Sequence, residues 1–162
     1  MVLGVGNLLL SDEGVGVHLV RRLAALDLPE DVEVLDGGTA PLQALHDVRD
    51  LDRLIVVDAT RLSAPPGTIV RLTAADVAPS QGRVSLHDFA MHDALLTWQT
   101  WGLDPEAVVL LGVCPGRVEM GDALSPEVEA ALPRLVSAVC DELFTSADPG
   151  SSGDDCQPAQ TD

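Results

Sequence analysis

Tyrosine is missing from this chain, and aromatic residues together make up 2% of its 162 positions. Its core must therefore be built from Leu, Val, Ile and Ala, within an apolar content of 46% that marks the body as globular rather than disordered. Cysteines are few. Cys114, Cys140 and Cys156 show no CxxC spacing, which argues against a zinc–thiolate site or a disulfide framework. Cys140 falls on the apolar stripe of a predicted helix and reads as a core thiol. Positive charge is also scarce: 9 basic residues face 26 acidic ones, for a formal net charge of −17. A field of that sign repels phosphate, so DNA, RNA and anionic membrane are poor partners, while cations and basic segments are tolerated. No apolar run is long enough to span a bilayer. The opening Met1-Val2-Leu3-Gly4 lacks the basic region and cleavage site of a signal peptide. The expected compartment is the cytoplasm.

What is present is an alternation of short β-branched runs with helical patterns, the signature of a parallel sheet covered by helices. Val2–Val5 reads as the first strand. Ser11 is placed as the N-cap of a helix whose apolar face runs through Val15, Leu19, Leu23 and Leu26. A second strand is expected over Val32–Leu35, ending at Asp36-Gly37-Gly38-Thr39, with Thr39 capping a short helix and Pro41 in its first turn. The wholly apolar Leu54–Val57 reads as a central strand that ends at Asp58. Thr68–Leu72 reads as an edge strand. Ser85 and Asp88 have capping-box spacing for a helix reaching about Trp101. Val108–Val113 is a further strand. Ser125-Pro126-Glu127 opens a last helix with a clean apolar stripe, in which Pro133 is the one residue that disfavours the helix. The predicted fold class is α/β: a three-layer helix–sheet–helix sandwich around a mixed, mainly parallel sheet of about five strands. Residues 1–145 form the domain, and residues 146–162 read as a disordered acidic tail.

Ligands of open parallel sheets bind outside the carboxyl ends of the strands. Polar residues just after strands therefore matter most: Asp12 and Glu13 after the first, Asp36 after the second, Asp58 after the third, and His87 at the start of a later helix. Carboxylates with an imidazole make a mixed O/N donor set suited to Ni, Zn, Co or Fe(II). Each has a plainer explanation. An acid such as Glu13 in a helix's first turn is stabilised by the macrodipole alone. Asp12 and Asp88 fit capping or solvation. Asp36 could serve only the backbone donors of its Gly-Gly turn. His18 and His46 fit packing or surface roles. His92 competes with His87, five residues earlier. Asp58 is hardest to explain structurally, because a charge ending an apolar strand needs a partner. Gly4-Val5-Gly6 after a strand also invites a dinucleotide reading, but Leu9 stands where the fingerprint needs its third glycine, and no phosphate-loop lysine is present.

The segment Leu3–Gly16, LGVGNLLLSDEGVG, resembles the opening motif of the hydrogenase maturation endopeptidases, which process the large subunit of nickel–iron hydrogenases. The resemblance continues in order through Asp36-Gly37-Gly38-Thr39, Leu54–Ala59, Ser85-Leu86-His87, Leu111–Pro115 and Leu124-Ser125-Pro126, covering about residues 1 to 144. It implies a nickel-dependent endopeptidase of aspartic or metallo type, with Glu13, Asp58 and His87 as the nickel-binding and catalytic set; the motif favours His87 over His92. It implies a substrate, the large-subunit precursor, whose C-terminal extension is removed after nickel insertion, with the nickel carried by that substrate. The Asp36 turn also resembles a family element near the site. Cys114 follows a strand without an evident His partner and reads as structural. Two features depart from the family pattern. The chain opens directly on its first strand, which leaves either a short strand or a native start upstream. The acidic tail lies outside the pattern, and its deletion should leave activity intact. The rival readings are a dinucleotide-binding domain and a non-catalytic nickel-site assembly factor.

Overall fold

A computed structural model describes residues 1–46, 48, 51–76 and 86–144, with side chains in the last stretch from residue 93 onward. The predicted tail and the Ser85 cap lie outside the described residues. Five strands form one sheet: β1 (Val2–Val5), β2 (Val34–Gly38), β3 (Leu54–Ala59), β4 (Ile69–Thr73) and β5 (Val108–Val113), in the order β2-β1-β3-β5-β4. All neighbours are parallel except β4, which pairs antiparallel with β5 at one edge. The helices are α1 (Val15–Leu23), α2 (Pro41–Ala44), α3 (Leu86–Thr100) and α4 (Pro126–Phe144). The α/β sandwich with a mixed, mainly parallel sheet is thus the observed architecture.

Side chains alternate across a strand, and here that alternation builds two cores. Val2, Ile55, Val57, Val109, Leu111 and Val113 face α1 and α4, packing on Leu19, Leu23, Val128, Leu132 and Leu135. Leu3, Val5, Leu54, Val56, Val108 and Leu110 face the other way, onto Leu45, Ala94, Leu95 and Trp98. β1, β3 and β5 are buried throughout because helices cover both faces. α4 continues through Pro133.

Several local expectations shift. β2 runs over Val34–Gly38 rather than Val32–Leu35, so Asp36 lies within the strand, paired beside Gly4 of β1. Asp58 likewise lies inside β3, opposite Gly112 of β5. Thr39 does not cap α2; Ala40 holds that position without a side-chain bond. Ser11 does not cap α1. It opens a 3₁₀ turn (Ser11–Gly14) at a positive φ of 50°, and its hydroxyl donates to the Glu119 carbonyl at 3.1 Å. Cys140 is buried on α4, and Cys114 is a free, buried thiol.

The order of strands reverses at β1, with β2 on one side and β3 on the other. The carboxyl ends of β1 and β3 therefore flank the switch point at which such sheets bind ligands. Gly16, in the first turn of α1, makes this junction tight. A Cβ there would fall 2.2 Å from the Val57 carbonyl oxygen and 2.4 Å from that of Val5. Only a glycine lets the helix start lie directly on both strand ends.

Candidate active site at the switch point

The loop leaving β1 turns at Gly6, whose φ of +140° suits glycine, and closes through the amide of Asn7, which donates to the Glu13 carbonyl at 3.2 Å. The result is a compact knot, residues 6–14, that carries Glu13 over the sheet edge. The turn packs against β3. Arg61, three residues past Asp58, brings its guanidinium to 3.6 Å from Glu13 Oε1. Glu13 is partly buried, with 21% of its side chain exposed, while Arg61 is largely in solvent.

Asp58 is buried, and its Oδ1 accepts from the Ala59 amide at 2.7 Å. By strand alternation it points to the side of Leu54 and Val56, the face covered by α3. α3 leads through a short connection into the amino end of β5. Its length of roughly 22 Å, at 1.5 Å per residue, carries its first turn back towards the carboxyl edge. His87 is the second residue of that turn. Glu13 and Asp58 thus lie on two elements in contact with each other, and His87 lies in the first turn of α3. The side chains of His87 and His92 lie outside the described residues. Among the described residues no group of three His, Cys, Asp or Glu side chains forms a metal-sized cluster.

Asp12, beside Glu13, was expected to cap or sit in solvent. It is instead fully buried. Its Oδ1 accepts from the Ser125 amide at 2.6 Å; its Oδ2 accepts from the Ser125 hydroxyl at 2.7 Å, the Arg117 amide at 2.7 Å and the Gly116 amide at 2.8 Å. Burial alone would raise its pKa, but the bonds from Ser125, Arg117 and Gly116 outweigh it and hold the carboxyl below its ordinary range. Asp12 thereby ties the loop after β1 to the segment between β5 and α4. Asp36 takes its modest reading: Oδ1 accepts from the Gly38 amide at 3.0 Å, and Arg21 lies 3.8 Å from Oδ2.

This edge does not suit a dinucleotide. A Cβ on Gly6 would lie 1.8 Å from the Glu13 carbonyl oxygen, so the 3₁₀ turn fills the space where a pyrophosphate would meet the glycine turn. Nor does it offer a covalent nucleophile among Ser11 and Cys114: both are buried, and Ser11 is already committed to Glu119.

The family model for hydrogenase maturation proteases matches residues 17–142. The chain belongs to that family, and it is a protease. It is 39% identical over 149 residues to the hydrogenase 2 maturation protease of Escherichia coli K12, covering 90% of this chain and 91% of that one. It is 37% identical over 147 residues to the hydrogenase expression/formation protein HupD of Rhodobacter capsulatus, covering 88% and 70% respectively. The solved hydrogenase maturating endopeptidase HybD from E. coli superposes with a TM-score of 0.79 at 36% identity, over 90% of this chain and 92% of that one. Among the described residues no helix is long and apolar enough to cross a membrane.

Proposed function

We propose that this protease removes the C-terminal extension of a nickel–iron hydrogenase large-subunit precursor in the cytoplasm, and that Glu13, Asp58 and His87 read the nickel carried by that precursor. The observation that supports the reading is the contact of the Ser11–Gly14 turn, which bears Glu13, with β3, which bears Asp58, beside the switch point. Two carboxylates and an imidazole suit nickel as a donor set. Nickel, when bound, supplies a positive centre that polarises an adjacent oxygen. The chain's own groups do the rest. The Ala59 amide fixes the rotamer of Asp58. Glu13 stands at the margin of solvent, its charge balanced by Arg61. The opposed reading of an assembly factor without proteolysis predicts an unchanged precursor.

Mass spectrometry of the large subunit, co-produced with each variant, tests the proposal. Glu13→Gln, Asp58→Asn and His87→Ala should leave the extension in place, and His92→Ala should permit its removal. If the wild-type protein leaves the C-terminus unchanged, the proteolytic reading fails. If His92→Ala is the defective histidine variant, the donor set is wrong.

A further inference from the structure

The loop that bears Glu13 carries a second feature that the donor set does not use. The Gly121 amide donates to the Leu9 carbonyl at 3.0 Å, and the Ser11 amide donates to the Gly121 carbonyl at 2.8 Å. These bonds make a parallel bridge between Leu10 and Gly121, which sets Leu9 alongside Met120. Both are apolar and turned to water: Leu9 is 63% exposed and Met120 81%, the two most exposed large hydrophobic residues described. Val118, two positions earlier, is 38% exposed. The platform is held firmly. The Asp12 carboxylate grips Gly116, Arg117 and Ser125 on either side of it, and the Ser11 hydroxyl holds Glu119. Charged Arg117 and Glu119 pair with each other at 3.6 Å beside it. An apolar centre with a polar rim, on a rigid support, is the anatomy of a protein-recognition site.

We propose that Leu9, Val118 and Met120 form the docking platform for an apolar stretch of the substrate polypeptide next to the bond that is cut. The proposal rests on the proteolytic reading of the Glu13 edge. Continuity with that edge selects this occupant. Leu9 is four residues from Glu13, so their Cα atoms lie at most about 15 Å apart, the reach of roughly four extended substrate residues. Charge argues against the other occupants. At a net −17, a second copy of this chain and an anionic bilayer are both repelled.

The test is steady-state cleavage of purified nickel-loaded precursor by wild type, Leu9→Ser, Met120→Ser and the double variant. Glu13→Gln serves as the inactive reference, and Leu96→Ser, an exposed leucine on α3, serves as the control. Removing an exposed leucine or methionine should leave thermal unfolding in place. Losing burial of these two side chains should raise KM about tenfold for each single variant and roughly a hundredfold for the double, with the effect in KM rather than kcat. Binding of precursor to the Glu13→Gln protein should weaken in parallel when the platform substitutions are added. Unchanged KM in the double variant, with wild type active, overturns the platform and leaves the proteolytic reading standing. An inactive wild type overturns both. A wild-type dimer that the double variant dissolves assigns the patch to self-association and overturns the proposal.

Discussion

Replacing Asp12 by Asn removes one charge and changes one oxygen into an amide nitrogen, with almost no change in shape. Four donors converge on the native carboxylate, three on Oδ2 and one on Oδ1. An asparagine can offer its oxygen to the three, but its NH₂ then confronts the Ser125 amide across 2.6 Å. The opposite flip abandons three donors instead. Hydrogen bonds to a charged group are worth roughly 1.5–3 kcal/mol each, and a buried donor left unpaired costs about 1–3 kcal/mol. These terms overlap, so the expected loss is about 3 kcal/mol for Asn and about 5 kcal/mol for Ala. For a chain of this size, 3 kcal/mol lowers Tm by roughly 6–12 °C. Urea unfolding at pH 7 measures the first number and a thermal melt the second. The pH dependence adds a signature. The folded pKa of Asp12 lies below its unfolded value, so its contribution is complete above the ordinary carboxylate range near ~4 and is lost as pH falls through the lower folded value. The gap between wild type and Asp12→Asn should therefore narrow steadily from about pH 5 downwards. An Asn variant within about 1 kcal/mol of wild type at pH 7, or a gap that widens in acid, would mean that the four donors do not depend on the Asp12 charge.

Gly16→Ala should destabilise by about 3 kcal/mol or more, because its methyl group meets the carbonyl oxygens of Val57 and Val5, neither of which can rotate away; soluble yield and urea midpoint report it. Glu142 is held below its ordinary pKa first by the Arg71 guanidinium, against desolvation, and further by Arg53. Glu142→Gln should accordingly cost about 2 kcal/mol at neutral pH and progressively less as pH falls below ~4, read by urea unfolding across pH. Truncation after Phe144 should leave the rate of precursor processing within about twofold of the full chain in the mass-spectrometric assay, because residues 1–144 carry the whole motif set.

The sheet was largely legible because its central strands are short apolar runs with no competing interpretation: Val2–Val5 and Val108–Val113 have the bounds expected, and Leu54–Val57 differs only by two residues at its end. β2 was misplaced because Asp36-Gly37-Gly38 has turn chemistry, and only pairing with β1 makes it a strand. The chemically suggestive Glu13 and Asp58 could be found from strand ends alone. Asp12 could not. Its partners lie 104 to 113 residues away, and nothing local distinguishes a helix-start aspartate that caps from one that is claimed by a distant loop. The Ser11 assignment failed because a 3₁₀ turn stands between it and α1, whose N-cap is Gly14; its hydroxyl goes to the distant Glu119 carbonyl instead.

The Asp12 clamp also bears on how the protease comes into being. One jaw is made near the start of synthesis, and the other, Ser125, more than a hundred residues later. At about 5–20 residues per second, the Glu13 knot waits at least several seconds on the ribosome for the segment that fixes it. A nascent chain with β1 and β3 already made would still lack the partner that fastens this knot. The long-range bond thus makes the fastening of the Glu13 knot a property of the nearly finished polypeptide.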